Sequence, residues 1–281
     1  MHSDRDCSDV IVPQSSSDQG NPVTNVQLLA RFEAANHRRR FAHNRDENLF
    51  RGVFDCAEGA MRSAPPTRPI GYDNDASTTL YDFHLVRVFA YDYPALHWFR
   101  RSFDEGLSKV LDIGGHIGIK YYAFRKYLDY PTGLGWQVCD VPSVVARGRE
   151  IAAARDAAKR LTFVSDPSQA LPCDLLFLSG SIQYLPVDLH TLLETLPARP
   201  RRIVVNTTPI HPKLTFFTLN SIGTAVCPYR VFSEADVLAQ FASLGYRTLD
   251  RWDCPGKPMR IPGYPKHSLE HYTGFCFDRS A

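Results

Sequence analysis

Asp112 and Asp140 bracket a cluster of glycines, and this combination is where the sequence first suggests chemistry. The cluster lies in Lys109-Val-Leu-Asp-Ile-Gly-Gly-His-Ile-Gly118. Val110, Leu111 and Ile113 read as a short buried strand that only Asp112 interrupts. Gly114, Gly115 and Gly118 permit a tight turn whose backbone N–H groups no Cβ shields from a ligand. A helix pattern over 117–128 follows at once, so the turn ends where a helix favours negative charge. Trp136-Gln-Val-Cys-Asp140 ends in a second carboxylate. At a neighbouring strand end, such an acid suits the hydroxyls of a ribose. Its plainer role is to cap the helix that Pro142 opens.

These residues need a scaffold of alternating strands and helices, and the pattern supplies one. Strands are expected over 109–113, 135–139, 161–164, 174–178, 202–206, 246–254 and 271–277. Helices are expected over 117–128, 142–159, 187–196 and 233–244. Ser233-Glu-Ala-Asp236 supplies an N-cap for the last of these, and Gly245 its terminating glycine. The fold class expected is α/β: a Rossmann-like, seven-stranded, mostly parallel sheet with an antiparallel last strand. A helical N-terminal extension precedes it. Residues 1–24, rich in Ser and Asp, read as a disordered tail. Residues 25–104 read as a helical cap on the substrate side, and 105–281 as the ligand-binding domain. Within the cap, a helix is expected from 25 to about 48 and a short aromatic segment at Phe50–Phe54. Pro94 is expected to split the aromatic-rich 78–103 into two helices. That belt serves either as core packing or as a lid. The triple Arg38-Arg39-Arg40 is most simply a solvated helix end, although arginines in a row can also grip phosphate.

Composition removes several function classes. A net charge of +2 over 281 residues gives no electrostatic case for nucleic acid. No apolar run approaches the ~18 residues of a membrane span. The first 20 residues carry no signal-peptide core, so a cytoplasmic location is expected. Seven scattered cysteines without a C-x-x-C pair suit packed free thiols better than a disulfide framework or a metal site.

The position of Asp112 discriminates between ligands. A dinucleotide's pyrophosphate is repelled by a carboxylate beside the turn, whereas a ligand bearing an ammonium and a sulfonium is not. The acid thus points to S-adenosylmethionine, with an NAD(P)-dependent oxidoreductase as an alternative. Residues ~105–208 resemble a class I S-adenosylmethionine-dependent methyltransferase, with Asp112-Ile-Gly-Gly-His-Ile-Gly118 as its first motif. Cys139-Asp-Val-Pro-Ser-Val-Val145 is similar to the second motif of small-molecule O-methyltransferases. Phe50–Phe54, Gly71-Tyr72, Leu111–Tyr122, Thr218–Phe232 and Tyr272-Thr-Gly-Phe275 also resemble a bacterial methyltransferase family associated with surface-polysaccharide loci.

The resemblance implies that Asp112, Gly114, Gly115, His116 and Gly118 line the methionine end of the cofactor. Asp140 and Val141 would meet its ribose, and Ser165 and Asp166 its adenine. Ser179, Gly180 and Gln183 would form the loop between cofactor and acceptor. His116 departs from the commonest form of the first motif, where a small or polar residue is usual. The function implied is methyl transfer to a hydroxyl or amine of a sugar or small metabolite, with oxygen the favoured acceptor atom. A hydroxyl acceptor calls for a general base. His211, past the fifth strand, is the candidate, and Tyr229, with Tyr184 and Arg230, would orient the acceptor. His267 lies in the insert between the last two strands. A non-catalytic, methyltransferase-like partner protein is the remaining alternative. The partners expected are a small-molecule or saccharide substrate and a second copy of the chain in a homo-oligomer.

Overall fold

The computed structural model describes residues 25–78 and 85–279. The expected tail at 1–24 lies outside them. The main sheet contains β2 (Lys109–Ile113), β3 (Gly135–Cys139), β4 (Leu161–Val164), β5 (Leu175–Ser179), β6 (Arg202–Thr208), β10 (Tyr246–Cys254) and β11 (Tyr272–Arg279). Their order across the sheet is β10-β11-β6-β5-β2-β3-β4. Only β11 runs against the rest, pairing antiparallel with both β6 and β10. This is the α/β, Rossmann-like, seven-stranded arrangement that the alternating pattern leads one to expect. Leu175–Leu178 and Ile203–Val205 are fully buried, as strands covered on both faces must be.

Helix α4 (Tyr93–Asp104) precedes β2, α5 (Ile119–Phe124) follows the glycine turn, and α6 (Pro142–Arg155) follows β3. Helix α7 (Leu189–Thr195) and helix α8 (Glu234–Ser243) belong to a second apolar core with Leu176, Leu178, Phe275 and Phe277. Several helices are shorter than the periodicity suggests, for local reasons. Helix α5 stops at Phe124, where the Tyr130 hydroxyl donates to the Tyr121 carbonyl at 2.7 Å. Helix α6 ends at Arg155, because Asp156 turns its carboxylate to the Leu161 N–H and the Tyr121 hydroxyl. Ser233 caps α8 as expected, accepting the Asp236 N–H at 3.1 Å. The Asp236 carboxylate takes the Thr215 hydroxyl instead of closing the box.

The N-terminal extension is helical as expected, and it also lends one strand to a second sheet. Helix α1 (Asn25–Ala42) is followed by β1 (Leu49–Phe54), α2 (Ala57–Arg62) and α3 (Asp75–Thr78). Strand β1 pairs with β8 (Phe216–Ser221), β8 with β9 (Val226–Ser233), and β9 with the short β7 (Ile210–His211). The excursion between β6 and α8 therefore completes the N-terminal region. Helix α1 ends before 48 because Asn44 folds back to the Glu47 N–H and reaches the Ser221 carbonyl. Pro94 does not split a helix. It occupies the first turn of α4, where its missing N–H costs nothing, after a 3-10 turn at Ala90–Asp92. Trp98 and Phe99 of the aromatic belt are core, whereas Phe89 and Tyr91 are half-buried and Tyr93 is exposed. Phe99 is fully buried, stacked on Trp136 at 5.1 Å and edge-on to Phe177 at 4.9 Å. Tyr81 and Phe83 lie outside the described residues. Among the described residues no helix is long and apolar enough to cross a membrane. Among the described residues five cysteines are free and Cys56 is disulfide-bonded, which corrects the expectation of free thiols alone.

Candidate functional site

The glycine turn emerges at the C-terminal edge of β2, and its geometry follows from its residues. Gly114, at φ 75°, donates its N–H to the Cys139 carbonyl, which joins the turn to the end of β3. Gly118, at φ 86°, caps α5 in a left-handed conformation that only glycine adopts cheaply. A side chain at Gly115 would meet the Asp112 carboxylate at 2.5 Å, so that carboxylate lies directly beneath the turn. A side chain at Gly114 would strike Ser181 Cβ, which brings the loop after β5 against the turn.

The two aspartates have different surroundings. Asp112 is 1% exposed and accepts the Trp136 indole N–H at 3.2 Å. Burial pushes its carboxyl up to about 7; Asp140 adds to the rise, while Trp136 and Lys120 oppose it. Asp140 accepts the His116 backbone N–H at 2.8 Å and the Val141 backbone N–H at 2.8 Å. Burial raises this carboxyl too, against those two donors. Asp140 thus ties the end of β3 back to the glycine turn.

His116 departs most from a plain turn. It is buried and adopts φ 54°, a conformation that costs a residue with a Cβ roughly 1–2 kcal/mol. Its Nε2 lies 2.9 Å from the Ser77 carbonyl on α3. The same segment reaches α6 through Asp73, whose carboxylate accepts the Ser143 N–H at 3.1 Å. Residues 73–77 therefore cover the turn between His116 and α6. Sequence reasoning missed this strap, because its key acceptor is a backbone carbonyl that no residue type encodes.

The loop after β5 brings Ser179, Gly180 and Gln183 to the same edge. Gly180 has φ 72°, and Ser179 Oγ lies 3.5 Å from Thr207 Oγ1. Ser181 Oγ and Gln183 Oε1 are buried without hydrogen-bond partners. Two buried polar atoms without partners, on the loop packed against the glycine turn, are what a bound polar ligand would satisfy. Next to Gln183 stands a group of rings. Tyr184 meets Tyr229 edge-on at 4.9 Å and Tyr72 at 5.5 Å, and Phe50 meets Tyr229 at 5.2 Å. Tyr229 donates to the Tyr272 hydroxyl at 2.8 Å, and burial holds its own hydroxyl well above the ordinary tyrosine range.

Other expected site residues lie apart or are already engaged. Ser165 and Asp166 are exposed beyond β4; Asp166 caps a 3-10 turn by accepting the Ser168 N–H at 2.8 Å. His211 has both ring nitrogens engaged. Nδ1 accepts the Lys213 and Leu214 N–H groups at 3.0 and 2.9 Å, so Nε2 carries the proton and donates to the Lys266 carbonyl at 2.9 Å. Backbone groups engage both nitrogens of the ring where the sequence expects a base. His267, edge-on to Phe216 at 5.0 Å, belongs to the same packed corner. Arg230 stacks over Phe232 at 4.9 Å.

The donor set fits S-adenosylmethionine: a glycine turn, one carboxylate beneath it and another beside it, and two buried polar atoms without partners on the adjoining loop. No model of a known protein family and no curated protein matches the chain. Among solved structures it is similar to 1,6-didemethyltoxoflavin-N1-methyltransferase of Burkholderia thailandensis, crystallised with 1,6-didemethyltoxoflavin and S-adenosylhomocysteine. The identity is 18% and the TM-score 0.46, over 68% of this chain and 79% of that one. It is similar to the pyocyanin biosynthetic protein PhzM at 16% identity and TM-score 0.45, over 73% and 56% of the two chains. It is also similar to the PH0226 protein of Pyrococcus horikoshii OT3 at 14% identity and TM-score 0.47, over 78% and 97%.

Proposed function

We propose that this chain is an S-adenosylmethionine-dependent methyltransferase acting on a hydroxyl or amine of a sugar or small metabolite. The observation that carries the reading is the pair of carboxylates around the glycine turn. Asp112 lies beneath the turn and Asp140 beside it. A pyrophosphate laid on this turn would face Asp112 at close range, so the geometry disfavours a nicotinamide cofactor. A cationic ligand gains from the same charge.

When bound, S-adenosylmethionine supplies a methyl group already activated by its sulfonium. The chain's own part is to bind, align and exclude water. Asp140 would hold the ribose hydroxyls while keeping its bond to the His116 N–H. Ser181 Oγ and Gln183 Oε1 would accept hydrogen bonds from the ligands at the turn. Tyr72, Tyr184 and Tyr229 form an aromatic wall that would orient the acceptor beside Gln183. The engaged ring of His211 favours an amine, which reacts as its neutral form without a protein base.

Isothermal titration of the full chain with S-adenosylhomocysteine tests the proposal. Binding that is lost in Asp140→Ala is the expected result. No heat from folded wild-type protein, together with an NADPH fluorescence change on mixing, would replace this reading with an oxidoreductase.

A further inference from the structure

Beyond the glycine turn, on the side away from Asp140, lies a buried group of charges that the reading above does not use. Lys120 follows the turn by two residues and donates to both Asp92 oxygens at 2.7 Å. Asp92 is completely buried and also accepts from Asn206 Nδ2 at 3.2 Å and the Phe89 N–H at 3.0 Å. Four hydrogen bonds from three donor groups leave this carboxylate no capacity for another cation.

Yet a second ammonium faces the same place. Lys257, in the insert after β10, sits 5.2 Å above the Tyr91 ring, and among the described residues it makes no ion pair. Burial and the nearby Lys120 lower its pKa, and Asp92 compensates only in part. Strand β10 is antiparallel to β11, which is antiparallel to β6, so β10 points the same way as the parallel strands, and Cys254 and the insert stand at the sheet edge that carries the glycine turn. The group therefore holds two positive charges against one negative, partly desolvated, at the mouth where open α/β sheets take ligands. An excess cation in such a place is stabilised by an anion that arrives with the ligand.

We infer that Lys257 and Lys120 form an anion subsite that holds a carboxylate of a small molecule bound across the strand ends. Two sources fit: the α-carboxylate of the proposed cofactor, or an acid group on the acceptor. The inference rests on the methyltransferase reading for its ligands, but not for the charge imbalance itself.

The test is calorimetric titration of wild type, Lys257→Met and Lys257→Arg with S-adenosylhomocysteine and with its decarboxylated analogue. Benzoate and its neutral counterpart benzamide are titrated into the ligand-free and the S-adenosylhomocysteine-loaded protein. A cofactor carboxylate predicts S-adenosylhomocysteine binding weakened by about tenfold to a hundredfold in Lys257→Met. Lys257→Arg then restores it, and the decarboxylated analogue is indifferent to all three residues. An acceptor carboxylate predicts unchanged S-adenosylhomocysteine binding, with benzoate, not benzamide, binding wild type and Lys257→Arg but not Lys257→Met. Equal loss of both nucleosides in Lys257→Met, or no difference with any ligand, overturns the subsite. If wild type ignores S-adenosylhomocysteine, the proposed function fails, and benzoate on the ligand-free protein still decides the anion site.

Discussion

The backbone N–H of His116 donates to the Asp140 carboxylate at 2.8 Å, so one charge-assisted bond joins the glycine turn to the neighbouring strand end. The turn is thus shaped by the same group that would bind ribose. Whatever removes Asp140 loosens the cradle as well as the ligand contact.

Asp140→Ala should therefore act on both. The His116 and Val141 amides lose their acceptor, at a cost of roughly 1–3 kcal/mol in stability. Affinity for S-adenosylhomocysteine should fall by at least about tenfold. A thermal melt beside a calorimetric titration reads the two effects. Full affinity in a variant that melts early would limit Asp140 to shaping the turn.

Asp112 gives the site a pH dependence. Burial takes its carboxyl from the ordinary 3.8 to about 7, so the fold prefers the neutral acid. The stability it contributes is fully present below about 3.8 and is lost as pH rises through about 7, in total roughly 4 kcal/mol. Asp112→Asn keeps an acceptor for the Trp136 N–H and should melt higher than wild type at pH 8 but not at pH 4. A cationic ligand reverses the preference by favouring the carboxylate. Affinity for S-adenosylmethionine should rise from pH 6 to pH 8, by up to about tenfold per unit, and become flat in Asp112→Asn. A flat profile in wild type would separate Asp112 from the ligand.

The readability of this chain followed the range of its interactions. Strands β2, β3 and β4 announce themselves as short apolar runs beside turns, and their observed bounds match the expected ones. The second sheet gave no such signal. Strand β1 pairs with β8 across most of the chain, and Pro228 lies inside β9, where proline argues against a strand. Pro228 is tolerated because it sits opposite Leu219 in a small outlying sheet. Residue types singled out Asp112, Asp140 and Gly114, which the structure brings together because all three sit at strand ends. They could not place Ser77 over His116, nor reveal that His211 spends both ring nitrogens on backbone groups.

His116 and Ser77 make the strap testable. His116→Gly removes the strained φ of 54° and the bond to the Ser77 carbonyl together. The two effects are of similar size and opposite sign, so melting should change by less than about 1 kcal/mol. Hydrogen exchange should rise sharply over residues 73–78 while β2 and β3 stay protected. Unchanged exchange over 73–78 would mean that Asp73 and Ser143 hold the strap without His116.

For His211 the expected phenotype is structural. His211→Ala hands the exposed Lys213 and Leu214 amides and the Lys266 carbonyl to water, at a cost of roughly 0.5–1.5 kcal/mol. Once an acceptor is in hand, the surviving fold should turn over with the same pH profile as wild type. Loss of one limb of that profile would restore His211 as a base.

The N-terminal region is the last case, because the second sheet changes what its removal means. A detachable helical lid could be cut away at Ser108 and leave a folded, cofactor-binding remainder. The structure predicts otherwise. Cutting there removes β1 and bares the edge of β8, a ready template for pairing with another chain. It also strips Phe99 from Trp136 and Phe177, uncovering a face of the main sheet. A chain beginning at Ser108 should aggregate, visible as void-volume elution in size-exclusion chromatography with lost near-ultraviolet ellipticity. A truncated chain that elutes as a compact monomer and binds S-adenosylhomocysteine would show that 25–107 is a separable cap after all.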